Sequence, residues 1–292
     1  MPMSESPATW SAVIVNYNAG EHLAACVESL VHSNDDRLAE VIVVDNGSTD
    51  QSLNLIAHLD ARVVHSPGNV GYSRAANLGI AASESPYVAV LNADVVFDVE
   101  AGRSLCFALD EQPSRGAIGP RIKNQYGEVY PSARQIPSLM TSIGHFAFGM
   151  IWPENPWTRK YRQSDLDPSE GRAADWLSGA VIMLRRSAVD AVGGWDERFF
   201  MFLEDVDLCL RLSSHGWSVW YQPSAEVMHI EGVSRRSHPY RSILDHHRSA
   251  FRFAVKHWRG PRRALLGPAA VALALRAMGL IAVGWLRARL QR

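Results

Sequence analysis

The chain has 292 residues, of which 47% are apolar and 20% are charged, and its formal net charge is −1. This composition predicts a globular protein, and the near-neutral charge gives no electrostatic reason to expect binding to nucleic acid. Three widely spaced cysteines without a C-x-x-C pair favour reduced core thiols over a zinc site. The N-terminus lacks a basic region followed by an apolar stretch, so a signal peptide is not expected.

Short apolar runs alternate with helical patterns through the first third of the chain. The predicted strands are 11–15, 40–44, 61–65 and 87–91, and the predicted helices are 21–31, 48–58 and 70–82. Ser48 or Thr49 is expected to cap the second of these helices. Continuous apolar strands that alternate with helices are typical of a mostly parallel sheet covered on both faces. The predicted fold class is α/β, with one Rossmann-like, mixed or mostly parallel sheet flanked by helices.

The alternation weakens after about residue 100, and no internal repeat is present. We predict a long, partly mobile segment at 127–157, strands at 176–185, 217–221 and 225–230, and helices at 204–214 and 242–258.

The C-terminus differs in composition, because residues 264–286 are almost wholly apolar. Arginines flank this run: Arg259, Arg262 and Arg263 before it, and Arg287, Arg289 and Arg292 after it. The run is long enough to span a bilayer, but Arg276 near its middle would cost about 2.5–3.5 kcal/mol. We therefore expect a helix on the membrane surface, with its basic residues at anionic headgroups. The alternative is a terminal helix packed on the domain or on a second subunit.

Polar side chains follow the predicted strands at their carboxyl ends: Asn16, Asp45, Asn46, Asn92 and Asp94. Open α/β sheets bind their ligands at this edge. A carboxylate at Asp45 could accept hydrogen bonds from a base N–H or a ribose hydroxyl, although turn aspartates also bond their own backbone. The helix after Gly71 could receive phosphate at its N-terminus, with Arg74 reaching the diphosphate or the base. An ordinary helix cap with a solvated arginine is the alternative.

The Asn92-Ala93-Asp94 segment predicts a metal site at the end of a buried strand. Asp94 would supply the charge, and Asn92 a neutral oxygen or a ribose contact. One carboxylate, diphosphate oxygens and water suit Mg²⁺ or Mn²⁺. His229, which follows a short predicted strand, could complete the metal shell. The alternatives are an Asx turn at Asp94 and a structural histidine.

A second acidic cluster begins a predicted helix at Glu204 and Asp205. Adjacent carboxylates repel each other, so one can have a raised pKa and act as a base. Asp205 is the candidate base, and Glu204 would orient Asp205 or an acceptor. Asp207 could instead cap the helix or pair with Arg211 at the i+4 position. The alternative for the whole cluster is an acidic first turn favoured by the helix dipole.

Taken together, these motifs resemble the inverting glycosyltransferases of family 2, which have the GT-A fold. The resembling segments lie in order across roughly residues 10–235: 13–18, 43–50, 69–77, 91–94, 175–180, 193–200 and 204–211, with His229, Gly232 and Ser234. The Asp-Asn-Gly-Ser segment at Asp45 and the His-x-x-Gly-x-Ser segment at His229 look most like the rhamnosyltransferase branch. The chain departs from the usual Asp-x-Asp motif by carrying Asn92 at its first position.

The resemblance implies roles for the matching residues. It places Asp205 as the base with Glu204 beside it, and the metal at Asp94 and His229. It implies nucleotide binding by Asn16, Tyr17, Asp45, Asn46, Arg74, Asn77 and Asn92. It implies a donor and acceptor pocket shaped by Trp176, Ser178 and Gly179.

The predicted enzyme is a hexosyltransferase dependent on Mg²⁺ or Mn²⁺, with dTDP-L-rhamnose as the favoured donor and UDP-sugars or GDP-mannose as alternatives. Its expected acceptor is a polyprenyl-linked or other glycan hydroxyl in bacterial cell-envelope synthesis. The expected location is cytoplasmic, at the inner face of the membrane, and a second copy of the chain is a candidate partner.

Residues 1–95 are assigned to nucleotide-sugar binding, 96–258 to acceptor binding and catalysis, and 259–292 to the C-terminal helix. Two other classes stay open. A nucleotidyltransferase would bind nucleotides at the same strand ends without needing the late Glu-Asp pair. A catalytically silent sugar-nucleotide-binding protein would bind donor without turnover.

Overall fold

A mixed sheet of ten strands forms the centre of the part of the chain described by this computed structural model. The described residues are 8–136, 141, 148, 152, 154–162, 167–230 and 239–290. The strands are β1 (Trp10–Asn16), β2 (Leu38–Asp45), β3 (Arg62–His65), β4 (Tyr87–Asn92), β5 (Val95–Phe97), β6 (Arg115–Lys123), β7 (Val129–Tyr130), β8 (Ala133–Arg134), β9 (Arg172–Ala173), β10 (Trp176–Leu177), β11 (Val181–Arg185) and β12 (Ser218–His229).

Helices cover both faces of the sheet. They are α1 (Glu21–Val31), α2 (Ser52–Leu55), α3 (Tyr72–Ala82), α4 (Ala101–Glu111), α5 (Pro156–Arg162), α6 (Arg186–Ala191), α7 (Glu204–Ser214), α8 (Pro239–His257) and α9 (Leu266–Leu290), with a 3₁₀ helix at Gly260–Leu265. Apolar residues of α1 and α4 pack on one face, and those of α3, α6 and α7 pack on the other. Burial of both faces stabilises the sheet and explains its continuous apolar strands.

The strand order is β3-β2-β1-β4-β11-β6-β12-β5, with β7 on β6 and β9 on β12. The first four strands are parallel, β11 runs antiparallel to both β4 and β6, and β12 is parallel to β6. A separate antiparallel pair, β8 and β10, lies outside this sheet. The observed architecture confirms the predicted α/β fold class. Because β4 pairs with β11, the sheet continues across the predicted boundary at residue 95.

The structure corrects three predicted elements. The second helix spans only Ser52–Leu55, and Ser48 accepts hydrogen bonds from Asn16 and the Asn18 N–H instead of capping it. The strand predicted at 176–185 is interrupted by a turn between β10 and β11. The two strands predicted at 217–221 and 225–230 form one strand, β12, whose register against β6 shifts between Gln222 and Glu226. Small residues at the turn explain the second error, and the bulge in β12 explains the third.

The three cysteines, Cys26, Cys106 and Cys209, are free and buried, as predicted. Much of the segment predicted at 127–157 lies outside the described residues, as do Gly232 and Ser234.

The C-terminal helix α9 packs against α8 and leaves most of its apolar surface exposed. The helical stretch Gly260–Leu286 is long and apolar enough to cross a membrane, and only 6% of its most apolar window is buried. Length and composition alone are weak evidence for a span.

Candidate active site

The carboxyl ends of β1, β2 and β4 bring the predicted nucleotide residues together. Asn16 lies opposite Asp45 in the register of β1 and β2, and it is fully buried. Its Nδ2 lies 3.3 Å from Asp45 Oδ1 and 3.0 Å from Ser48 Oγ. Asp45 Oδ2 lies 3.6 Å from Nδ1 of the exposed His65, which the sequence reasoning missed. Asn16 therefore orients Asp45, and the second carboxylate oxygen of Asp45 faces the side where His65 is exposed.

Two of the predicted nucleotide-binding amides hold protein loops together. Asn46 Oδ1 accepts hydrogen bonds from the Val70 N–H and from Ser66 Oγ, and its Nδ2 donates to Asn69 Oδ1. These bonds fix the loop before α3. Asn77 makes a reciprocal pair with the backbone of Trp195, in which both distances are 2.9 Å. Asn77 therefore joins α3 to the 193–197 loop by hydrogen bonds. The predicted contact of Asn77 with the nucleotide stays a prediction.

The N-terminus of α3 lies against the segment that precedes the acidic helix. Gly71 has a φ of +90°, and a Cβ there would lie 2.7 Å from the carbonyl oxygen of Phe200. The Tyr72 N–H donates to that oxygen at 2.7 Å. The close backbone approach that Gly71 allows is therefore made to Phe200. Arg74 is about half exposed, with its Nε 3.8 Å from Glu197 Oε2, and Tyr17 is half-buried in the loop after β1.

Asp94 and His229 meet because β12 pairs antiparallel with β5. Asp94 Oδ1 lies 3.0 Å from His229 Nε2, and Asn92 Nδ2 lies 3.4 Å from the same nitrogen. Two adjacent ligands of an octahedral ion with bonds of about 2.1 Å stand about 3 Å apart, so this spacing fits Mg²⁺ or Mn²⁺. Among the described residues no group of three or more His, Cys, Asp or Glu side chains could hold a metal. A cation here would therefore take its remaining ligands from substrate and water.

The predicted base lies in the first turn of α7. Asp205 Oδ2 accepts a hydrogen bond from the Gly179 N–H at 2.9 Å, and its Oδ1 accepts one from the Val206 N–H at 2.8 Å. Glu204 is 7% exposed, and its Oε2 has no hydrogen-bond partner in the described part of the chain. One carboxylate of the pair is thus held by two donors, whereas the other keeps an unsatisfied oxygen.

These surroundings act differently on the pKa values of Glu204 and Asp205. Burial, and then the charge of Asp205, raise the pKa of Glu204 well above its ordinary value. Burial also raises the pKa of Asp205, but the N–H groups of Gly179 and Val206 and the charge of Arg134 oppose that rise. The two hydrogen-bond donors therefore favour the charged form at Asp205, whereas burial without a partner for Oε2 among the described residues favours the neutral form at Glu204.

A turn at Ser178-Gly179-Ala180 joins the two acidic sites. The Asn92 N–H donates to the Ala180 carbonyl at 3.0 Å, beside the Asp94 and His229 pair. Gly179 donates to Asp205, and its carbonyl accepts a hydrogen bond from Tyr72 Oη at 2.8 Å. The candidate metal ligands and the candidate base therefore lie at the same edge of the sheet, on either side of this turn.

The remaining predicted pocket residues lie beside this turn. The Ser178 N–H donates to the Ser132 carbonyl at 2.7 Å, and Trp176 is 7% exposed. The Arg134 guanidinium stacks over the Trp176 ring, 4.9 Å from its centroid. Arg134 was missed from the sequence because only the pairing of β8 with β10 brings it here.

Comparisons with known proteins agree with this geometry. The sequence model described as "Glycosyl transferase family 2" matches residues 11–193, and "Glycosyl transferase family group 2" matches residues 163–286. The chain is 41% identical over 268 residues to the N-acetylglucosaminyl-diphospho-decaprenol L-rhamnosyltransferase of Mycobacterium tuberculosis, covering 86% of this chain and 87% of the relative. It is 25% identical over 265 residues to rhamnosyltransferase WbbL of Escherichia coli, covering 84% and 92%.

Two solved structures share the fold. The mannosyltransferase PcManGT from Pyrobaculum calidifontis, in complex with GDP-Man and Mn²⁺, matches with a TM-score of 0.56 at 16% identity, covering 99% of this chain and 84% of that one. GalNAc-T7 with UDP, GalNAc and Mn²⁺ matches with a TM-score of 0.59 at 18% identity, over 78% of this chain. The chain spans only 44% of the GalNAc-T7 chain. The match over most of the sequence and the shared GT-A architecture lead to one assignment: the chain belongs to glycosyl transferase family 2 and is a glycosyltransferase.

Proposed function

We propose that this glycosyltransferase is inverting and metal-dependent, and that it transfers L-rhamnose from dTDP-L-rhamnose to a hydroxyl of a lipid-linked acceptor. The 41% identity to an N-acetylglucosaminyl-diphospho-decaprenol L-rhamnosyltransferase supports both substrates. The observation that carries the mechanism is the 178–180 turn, which holds the Asp205 carboxylate next to the Asp94 and His229 pair. A single direct displacement needs a base for the acceptor hydroxyl and a positive charge for the leaving diphosphate at one place.

Asp205 acts as the base in this proposal. Its ionised carboxylate takes the proton of the acceptor hydroxyl as the oxygen attacks the anomeric carbon, and the bond to the nucleoside diphosphate breaks. The neighbouring Glu204 is buried beside Asp205 and helps to orient it, while its raised pKa favours the neutral carboxyl form.

The donor diphosphate lies between the metal ligands and the start of α3. Asp94 and His229 would hold Mg²⁺ or Mn²⁺, whose positive charge would stabilise the leaving diphosphate. His229 must offer an unprotonated Nε2 for this purpose. Arg74 is exposed near the same helix N-terminus and can reach a phosphate. Asp45, held by Asn16, accepts hydrogen bonds from the nucleoside.

The C-terminal helices suit an enzyme that works on lipid-linked sugars at the cytoplasmic face of the membrane. Large apolar side chains of both helices are exposed: Tyr240, Leu244, Phe251 and Val255 of α8, and Val271, Leu275, Met278, Val283, Trp285 and Leu286 of α9. The exposed arginines between the two helices, Arg259, Arg262 and Arg263, can meet anionic headgroups. This arrangement favours a helix pair lying in the interface, because α9 is already packed on α8.

Thermal unfolding with a panel of nucleotide sugars tests the donor. The panel contains dTDP-L-rhamnose, UDP-sugars and GDP-mannose, each with and without Mn²⁺ or Mg²⁺. Binding to the native state raises the apparent melting temperature by mass action. We expect the largest metal-dependent rise with dTDP-L-rhamnose, followed by transfer to a prenyl-diphosphate-linked N-acetylglucosamine. A larger rise with a UDP- or GDP-sugar would refute the donor, and binding of every donor without transfer to this acceptor would favour a silent binding protein.

Vesicle flotation tests the membrane surface. We compare vesicles of phosphatidylcholine with vesicles that also contain phosphatidylglycerol. Replacing Arg259, Arg262 and Arg263 together by glutamine should lower binding to the anionic vesicles by about 3 kcal/mol, or about 10²-fold, at about 1 kcal/mol per arginine near the surface. Replacement of the exposed Arg62, Arg74 and Arg198 is the charge-matched control. Equal binding of both triple variants would show that the linker arginines do not contact lipid.

A further inference from the structure

Asp207 is a fully buried carboxylate in the first turn of α7, two residues after the proposed base. Two cationic side chains and a histidine surround it. Arg211 Nε lies 2.7 Å from Oδ2, while Lys256 Nζ at 2.6 Å and His257 Nε2 at 2.7 Å both lie against Oδ1. Burial alone would raise the pKa of Asp207, but hydrogen bonds from His257, Lys256 and Arg211 hold it below its ordinary value. The carboxylate is therefore ionised and firmly held.

Lys256 also contacts a second carboxylate, that of Asp196, which precedes Glu204 and Asp205 in the chain. Its Nζ lies 2.5 Å from Asp196 Oδ2, which Arg198 Nη2 approaches to 2.6 Å. Lys256 and His257 are the last two residues of α8, the helix that packs against apolar α9. One ammonium group thus joins the end of α8 to Asp196 and Asp207, which lie on either side of the segment 197–206 that contains Asp205.

The bridged segment contains an unusual backbone conformation. Phe202 and Leu203, which directly precede Glu204, have φ values of +70° and +61°. Two consecutive non-glycine residues in the left-handed region persist only where surrounding contacts enforce them. The Tyr72 N–H holds the segment from the α3 side through the Phe200 carbonyl.

Helix α8 holds the same segment from the opposite side. Ser249 Oγ donates to the Met201 carbonyl at 2.7 Å, and the ring of His246 packs edge-on against Phe202, with centroids 5.4 Å apart. The position of the Asp205 carboxylate therefore depends on contacts supplied by α8 as well as on the Gly179 N–H.

We propose that Lys256 is a positioning residue for glycosyl transfer: by bridging Asp207 and Asp196 it fixes the start of α7, and with it the Asp205 carboxylate. The inference rests on the proposed role of Asp205 as the base. Loss of Lys256 leaves Asp207 paired with Arg211 and His257, so its buried charge stays compensated and the fold persists. What is lost is the bridge between the two carboxylates. Through Lys256, the C-terminal helix pair of α8 and α9 also helps to position Asp205.

The test compares Lys256→Met with Lys256→Arg and with Arg248→Met. Arg248 is an exposed cation on the same helix, 3.7 Å from Asp245, and it is the matched control. Initial rates are measured with dTDP-L-rhamnose and a prenyl-diphosphate-linked N-acetylglucosamine. We expect kcat of Lys256→Met to fall about tenfold or more with the donor KM within about twofold, because small misplacements of a reacting group lower the rate steeply. Lys256→Arg should recover most of the loss, and Arg248→Met should match the wild type.

Hydrogen exchange of the same proteins provides a second measurement that does not depend on turnover. Amides of residues 200–207 should exchange faster in Lys256→Met, while those of β1 and β4 keep the wild-type rate. An unchanged kcat in folded Lys256→Met, or unchanged exchange at 200–207, overturns the positioning role. If the wild type binds donor but transfers nothing, the proposed function fails, and the exchange result still decides whether Lys256 fixes the start of α7.

Discussion

The pair of Asp94 with His229 and the pair of Glu204 with Asp205 lie at one edge of the sheet, but their carboxylates have different partners. Asp94 has a side-chain partner, His229 Nε2, which a cation could share. Asp205 has two backbone N–H partners, which can donate hydrogen bonds but cannot take up a proton. The first arrangement suits a metal ion, whereas the two N–H donors of the second oppose the rise that burial gives to the pKa of Asp205.

The two pairs also differ in how the chain places them. Strand pairing of β5 with β12 sets the first pair, so that its spacing follows from sheet register. The second pair depends on a turn, a left-handed segment and the start of a helix. We therefore expect the Asp94 and His229 pair to tolerate changes around it better than the Glu204 and Asp205 pair does, and the following variants test the roles proposed for them.

Replacement of Asp205 should have the largest effect. Asp205→Asn keeps the shape of the side chain but removes its ability to take a proton, so kcat should fall by about 10²–10⁴-fold. Melting-temperature shifts with donor and Mn²⁺ should persist. Asp98→Asn is the control, because Asp98 also accepts the N–H of the next residue but lies exposed. Retention of more than about a tenth of the activity would assign the base elsewhere.

Replacement of His229 should change the Mn²⁺ concentration needed for activity more than the rate at excess Mn²⁺. In His229→Gln the activity at low Mn²⁺ should fall by at least the 10–100-fold typical for loss of an outer-shell partner, and excess Mn²⁺ should restore part of it. Exposed His58 provides the control variant His58→Gln. A loss that does not respond to metal concentration would place His229 outside the metal site.

Much of the fold and one acidic pair could be predicted from sequence because local signals define them. The continuous apolar runs of β1, β2 and β4 and the acidic first turn of α7 gave elements close to those observed. Residues 204–214 form a helix with the predicted bounds, since the acidic start and the 3.6-residue pattern agree.

Long-range contacts could not be worked out from local patterns. Asp94 and His229 are 135 residues apart, and the sequence pattern alone left His229 open between a metal ligand and a structural histidine. Arg134 reaches Trp176 through a two-residue strand pair that has no clear sequence signal. The amide of Asn77 could bind a ligand or a backbone equally well, and the structure shows it bound to Trp195.

The pH dependence should report the ionisation of Asp205, the proposed base. Burial raises the pKa of Asp205, and the base works only when deprotonated, so activity is lost as the pH falls through that raised value. With Mn²⁺ kept saturating at each pH, kcat should fall about tenfold per pH unit below it. The acidic limb should lie above the ordinary range of an aspartate. A limb at or below that range would contradict a buried base, and Asp205→Asn should lack the limb altogether.

The smallest expected effect concerns the turn that joins the two pairs. A Cβ at Gly179 would lie 3.3 Å from both Cβ and Oδ2 of Asp205. In Gly179→Ala the carboxylate must therefore move by a few tenths of an ångström, which weakens its hydrogen bond from the 179 N–H without abolishing it. Because a displaced reacting group lowers the rate steeply, this small displacement should lower kcat by about fivefold.

Gly171→Ala is the matched control for this turn variant. Its Cβ would meet Trp220 at 3.4 Å, an ordinary contact away from both acidic pairs. Gly179→Ala should leave the Mn²⁺ concentration for half-maximal activity unchanged, because Asp94 and His229 are held by β5 and β12 rather than by the turn. A different outcome would be a higher Mn²⁺ requirement with unchanged kcat in Gly179→Ala. The turn would then support the Asp94 and His229 pair, and the position of Asp205 would depend on α7 and its contacts with α8 alone.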